Sequence, residues 1–191
     1  MNLVEALAQA RGRIASAEAK RLLRHVLAIT ASEVAAHPER ALDESQSSRY
    51  AELVQRRAAG EPVAYLVGSR EFYGRDFRVT PAVLIQRTET ELLIELALTK
   101  VSRGGTPRML DLGAGSGCVA ITLALELGCA VTAVDVSVEA LAVARDNAAR
   151  FGARVNLVES DWFAGVEGRF ELIVGNPPYV AEGDAHLRDL A

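Results

Sequence analysis

The 191 residues are 50% hydrophobic and 24% charged, enough apolar material to bury one sizeable core or a domain beside a smaller one, which argues against a disordered chain. No uninterrupted apolar stretch reaches the roughly 18 residues a membrane span needs, and Met1-Asn2-Leu3-Val4-Glu5 lacks the basic lead-in of a secretory signal, so a soluble, cytoplasmic protein without membrane contact is expected. The net charge of −4 is uneven: residues 1–88 carry 13 Lys and Arg against 10 Asp and Glu, and residues 89–191 carry 8 against 15, too little positive charge for a nucleic-acid-binding stripe.

Leu3, Leu7, Ala10 and Ile14 recur at helical spacing, and Leu22, Leu23, Val26 and Leu27 share one face of a second segment that starts at Ser16. A third helix from about Ser45 carries Leu53 and Val54 and stops at Gly60, with Pro62 just beyond it. Residues 1–60 are thus predicted to form a small helical bundle. Two short β-type runs punctuated by glycine, 63–68 and 71–79, predict a hairpin in a linker spanning 61–87. From Thr88 the pattern turns helical through Leu92, Leu93, Leu96 and Ala97, with Thr88 and Glu91 spaced as a capping box.

Residues 88–191 then alternate strand and helix: strand 109–112, helix 117–127, strand 130–134, helix 138–151, strand 155–158 and strand 170–174. Strands separated by helices of this length pair in parallel through right-handed crossovers. The expected fold class is therefore α/β, a doubly wound parallel sheet, carrying a helical bundle and a linking hairpin at its N-terminal side. Cys118 and Cys129 have neither CxxC spacing nor a nearby histidine, so they read as buried thiols and no metal site is expected.

The first strand of that sheet runs into Asp111-Leu112-Gly113-Ala114-Gly115-Ser116-Gly117, a glycine-rich turn that opens a helix. Such a turn lets a ligand approach the backbone, and the first N–H groups of the helix are expected to be donors to an anionic group. A ligand-free strand-to-helix turn has the same pattern. The dinucleotide form is G-x-G-x-x-G; here the third glycine falls one residue early and Asp111 stands two before the first, which favours a nucleoside whose polar tail is an amino acid. Asp135 closes the second strand, where a carboxylate accepts from both ribose hydroxyls, or else caps the helix beginning near Ser137. Asp161 and Trp162 follow the third strand; Trp162 either stacks on an adenine or packs in the core.

After the fourth strand comes Asn176-Pro177-Pro178-Tyr179. An amide nitrogen is a poor nucleophile because its lone pair is delocalised. An asparagine side-chain oxygen and a proline carbonyl each accept one of its N–H bonds, which draws the nitrogen toward tetrahedral geometry and releases the lone pair. The prolines fix the carbonyl direction, and Tyr179 can stack on the planar target. A rigid turn is the plainer reading of the same four residues.

These motifs together resemble the protein-(glutamine-N5) methyltransferases of the HemK type, and the resemblance extends to Gly60-Glu61-Pro62-Val63-Ala64-Tyr65-Leu66-Val67-Gly68 and Glu71-Phe72-Tyr73-Gly74. It implies a class I methyltransferase fold that uses S-adenosyl-L-methionine, releases S-adenosyl-L-homocysteine and modifies the Gly-Gly-Gln glutamine of a class 1 peptide chain release factor. It also implies that Asp111, Gly113, Ala114, Gly115, Ser116, Gly117, Asp135, Asp161, Trp162 and Asn176 bind the cofactor. Asn176, Pro177, Pro178 and Tyr179 would hold the glutamine, with Asn176, Pro177 and Tyr179 catalytic. Residues 1–60 would recognise the release factor, and residues 88–191 would carry the chemistry.

Two departures from the family pattern stand out. Where the family has Ile-Pro-Arg-Pro before a Thr-Glu pair, this chain reads Ile85-Gln86-Arg87-Thr88, so a less rigid loop is expected. The family fold also continues with three more strands, so the strand over 170–174 is expected to be an apolar edge open to self-association. Three other functions fit the motifs less fully: glutamine methylation on a ribosomal protein, amino-group methylation on a nucleic acid, and a truncated, inactive binding module.

Overall fold

The computed structural model describes residues 1–101 and 105–177. It divides into two compact units, Met1–Ser69 and Arg70–Ala191.

The first unit is built from α1 (Leu3–Ala10), α2 (Ser16–Leu27), α3 (Ala31–Ala36), α4 (Glu44–Ala58) and α5 (Val63–Val67). Three of these start on capping boxes, Asn2 with Glu5, Thr30 with Glu33 and Asp43 with Gln46, each satisfying helix-start N–H groups. Leu3, Leu22, Leu23, Tyr50, Leu53 and Val54 form its core. The Tyr50 hydroxyl donates to the Ala19 carbonyl, and burial pushes its pKa up to about 12. Two sequence expectations change here. Residues 63–68 are helical rather than extended: Val63-Ala64-Tyr65-Leu66-Val67 has no period to reveal its type, and it runs from Pro62 to a left-handed Gly68, with Leu66 joining the helical core. The short α3 has no buried residue, so it carries no apolar stripe, and only its capping box marks it in the sequence.

In the second unit, β1 (Ser69–Phe72) and β2 (Arg75–Arg78) form a hairpin turned by Tyr73 and Gly74, both at positive φ, as a two-residue turn requires. A 3-10 turn over Thr88–Thr90 leads into α6 (Glu91–Lys100). The expected capping box is not formed. Thr90 is the N-cap and makes no side-chain cap bond, and Glu91 instead accepts the Tyr73 N–H at 2.9 Å.

Beyond α6 lie β3 (Met109–Leu112), α7 (Cys118–Leu127), β4 (Val131–Asp135), α8 (Val138–Phe151), β5 (Val155–Glu159) and β6 (Leu172–Gly175). The four strands are parallel in the order β5-β4-β3-β6. One sheet face packs on Phe72, Phe77, Ile94, Ile121 and Leu123; the other places Leu110, Leu112 and Val134 against Val158, Val166 and Phe170. The last strand begins two residues later than its sequence suggests, because Phe170 lies beneath the Arg108 guanidinium and packs on that second face. From β3 the chain moves through β4 to β5 on one side and returns to β6 on the other. The order reverses between β3 and β6, the switch point at whose C-terminal side open α/β sheets take their ligands. Among the described residues, no helix is long and apolar enough to cross a membrane, and no cluster of metal-ligating side chains occurs.

Candidate active site

The turn after β3 is held almost wholly by its own neighbourhood. Gly113 and Ala114 both donate to the Val134 carbonyl, at 2.9 and 2.8 Å, and Gly117 donates to Ala114. Gly115 donates to Asp135 Oδ2 at 2.8 Å, while Asp135 Oδ1 accepts the Ser137 N–H. Asp111 points into the core and accepts the Ala120 N–H at 3.1 Å, so it caps the third position of α7, whose own N-cap, Gly117, has no side chain. Burial pushes the Asp111 carboxyl up to about 7, opposed by that N–H and reinforced by the charge of Asp135. Burial likewise raises the neighbouring Cys118 thiol to about 12, which leaves it an inert apolar group.

The N–H groups of Gly113, Ala114, Gly115 and Gly117 have partners within the protein, and of the helix-start donors the Ala120 N–H is taken by Asp111. What the turn offers is an open surface. A Cβ on Gly113 would meet nothing within 4 Å, and one on Gly115 would meet only Gln86 Nε2 at 3.8 Å. Gly117 differs, because a Cβ there would lie 2.9 Å from Ile121 Cδ1 and 3.0 Å from Ala144 Cβ, so this glycine lets α7 and α8 approach. Ser116 is buried, and its carbonyl accepts from Asn147, whose amide also pairs with both backbone groups of Arg78.

Asp135 and Glu159 are register partners at the ends of β4 and β5. Asp135 is half-buried, and two N–H bonds leave lone-pair sites on its two oxygens. Just past β5, Asp161 is exposed, and Trp162 is 56% exposed at a left-handed φ of 49°, which rules out the core role for the indole. Phe163 and Val136 are exposed beside these strand ends in the sequence.

Leu112 and Gly175 are register partners, so the glycine turn and Asn176 leave the sheet side by side. Asn176 is half-buried, and its Nδ2 donates to Thr90 Oγ1 at 2.7 Å and to Gln86 Oε1 at 3.3 Å. With both amide protons committed, the side-chain oxygen is left as the acceptor, and among the described residues it takes no hydrogen bond. Pro177 is exposed; Pro178 and Tyr179 lie outside the described residues. Thr90 and Gln86 are the residues that motif reading did not assign to the site. They sit 86 and 90 positions from Asn176, and their only sequence signal is their place in the segment that matches the family's Ile-Pro-Arg-Pro and Thr-Glu pattern.

The profile of the PrmC N-terminal domain matches residues 2–68, and that of the methyltransferase small domain matches residues 88–189. A release factor glutamine methyltransferase of Cereibacter sphaeroides is 43% identical over 95% of this chain and 67% of its own length. The chain belongs to the release factor glutamine methyltransferase family. Another member, from Bordetella pertussis, is 47% identical over 89% of this chain. The chain spans 64% of the length of that relative and of the one from Burkholderia pseudomallei. Among solved structures, a Thermus thermophilus 16S rRNA N2 G1207 methyltransferase in complex with AdoMet and guanosine is similar over 60% of this chain and 33% of its own, with 26% identity and a TM-score of 0.51. The doubly wound methyltransferase fold read from the sequence is the fold found.

Proposed function

We propose that this family member transfers the methyl group of S-adenosyl-L-methionine to the side-chain nitrogen of the glutamine in the Gly-Gly-Gln motif of class 1 release factors. The observation that carries this reading is the locked amide of Asn176, whose two N–H bonds leave a carbonyl oxygen as an acceptor beside the glycine turn.

The residues present fit the cofactor. The open backbone at Gly113, Ala114 and Gly115 accommodates its amino-acid end, with Asp111 and Ser116 holding the turn in shape and Gly117 closing the helix packing. Asp135 has acceptor capacity for the ribose hydroxyls, and Asp161 and Trp162 border the adenine. When bound, the cofactor supplies an electrophilic methyl group and departs as S-adenosyl-L-homocysteine.

The protein's part is orientation and electrostatics. Asn176 Oδ1 accepts one N–H of the target amide and the Pro177 carbonyl accepts the other. This pair withdraws the nitrogen from conjugation with its own carbonyl and turns its lone pair toward the cofactor. Pro178 and Tyr179 frame the flat carboxamide. No general base is required before attack, since an acidified N–H is lost to water once the nitrogen has become tetravalent. Residues 1–60 grip the release factor, residues 61–87 connect, and residues 88–191 catalyse, in the cytoplasm and without direct nucleic-acid contact.

Mass spectrometry of a release factor incubated with this protein and the cofactor tests the reading. The expected result is one added methyl on the Gly-Gly-Gln glutamine. An unmodified glutamine, with a methyl found instead on a ribosomal protein or a nucleic acid, overturns it.

A further inference from the structure

The proposed chemistry needs Asn176 in one orientation, and a residue foreign to the family pattern helps to hold it. Gln86 stands where the resembled family has the first proline of Ile-Pro-Arg-Pro. The residue is half-buried, and its carboxamide lies between the two turns of the site. At one end, Oε1 lies 3.3 Å from Asn176 Nδ2 and 3.5 Å from Thr90 Oγ1. At the other, Nε2 stands 3.8 Å from the point a Cβ on Gly115 would occupy.

A carboxamide has its acceptor and its donors at opposite ends. With Oε1 directed at Asn176 and Thr90, the two Nε2 protons are carried on the side of the glycine turn. We infer that Gln86 is a positioning residue that links the two turns: its oxygen keeps Asn176 Oδ1 aimed at the target amide, and its nitrogen donates to an acceptor atom of the cofactor above Gly115. This inference rests on the function proposed above. A proline at this position has no side-chain donor or acceptor and stiffens the loop instead. The chain thus exchanges backbone rigidity for a polar brace that is complete only when the cofactor is seated.

The two ends of the side chain can be tested separately. Gln86→Leu removes both, whereas Gln86→Glu retains an oxygen for Asn176 and Thr90 but has no donor for the cofactor. For Gln86→Leu, kcat is expected to fall about tenfold, the size of one hydrogen bond, with the KM for the release factor unchanged. Cofactor affinity, measured by calorimetry, is expected to weaken by about the same factor. Gln86→Glu is expected to restore kcat to within about threefold of the natural protein while cofactor affinity stays weak. In the protein without ligands, one Asn176 side-chain amide proton should move upfield in a nitrogen–proton correlation spectrum of Gln86→Leu, its signal identified by its loss in Asn176→Asp. Unchanged kcat, affinity and amide shift in Gln86→Leu would overturn the inference, as would a Gln86→Glu variant as slow as Gln86→Leu. If the natural protein methylates no glutamine, the proposed function fails, and the calorimetry and the amide spectrum still decide whether Gln86 links the turns.

Discussion

The turns that follow β3 and β6 lie side by side at one edge of the sheet, yet they are held by different means. The glycine turn is fastened by groups of its own strand and of the neighbouring β4: the Val134 carbonyl, the Asp135 and Asp111 carboxylates and the backbone of Ala114. The asparagine turn is fastened by side chains of Gln86 and Thr90, from a segment on the far side of α6. One turn is therefore fixed by the sheet itself, while the other is gripped by polar side-chain contacts from outside it. A substitution in the first should change stability. In the second it should cost rate.

The largest effect expected is on rate. Under the proposed function, Asn176→Ala removes the acceptor for the target amide, and kcat should fall about 10²–10³-fold, the usual cost of losing one such preorganised hydrogen-bonding group, with the thermal midpoint little changed. If the melting curve collapsed instead, the asparagine turn would belong to the core and the contrast would break.

Gly117→Ala probes the opposite case. The residue holds a φ of 78°, and an added Cβ would press on Ile121 and Ala144. Left-handed strain of about 1–2 kcal/mol and overpacking of about 1–3 kcal/mol together predict a loss of about 2–5 kcal/mol in urea unfolding.

Asp111 sharpens the comparison through pH. Its folded pKa is raised to about 7 by burial, so the folded protein holds this proton more tightly than the unfolded chain, where aspartate titrates near about 4. Its contribution to stability is fully present below about pH 4 and is lost as the pH rises to about 7. Asp111→Asn keeps an oxygen for the Ala120 N–H and removes the charge. The variant should therefore gain stability over the natural protein, on the order of 3 kcal/mol, as the two are compared from pH 4 up to pH 7. Parallel unfolding curves across that range would show that the carboxyl is not perturbed.

The smallest effect concerns Thr122 in α7, whose hydroxyl is buried with no hydrogen-bond partner. Thr122→Val replaces it with a methyl of similar shape. A gain of about 1 kcal/mol is expected in the same unfolding assay, without any change in rate.

Much of this was legible in the residues themselves. The alternation of strands and helices from Met109 onward, the glycine turn with Asp135 at the next strand end, and the position of Asn176 after the last strand all follow from patterns within a few tens of residues. Reading failed where a local pattern was absent or where a distant contact outweighed it. The run from Val63 to Val67 has no period, so its helix is decided by Pro62, Gly68 and the place of Leu66 in the helical core. Thr88 and Glu91 have the right spacing for a capping box, but the Tyr73 N–H claims the Glu91 carboxylate. The bonds that fix the glycine turn to the Val134 carbonyl and the Asp135 carboxylate on β4 are likewise invisible in the sequence until the strands pair.

The sequence by itself thus determined the fold class and the two turns from which the proposed chemistry is read, because periodicity and turn residues act over short range. Only the tertiary structure decided which end of the Asn176 amide is free, that Trp162 is exposed, and that Gln86 and Thr90 belong to the site. The Asn176 contacts depend on hydrogen bonds between groups far apart in the chain, which exist only once a parallel sheet has brought β3 and β6 together and α6 has packed against β6.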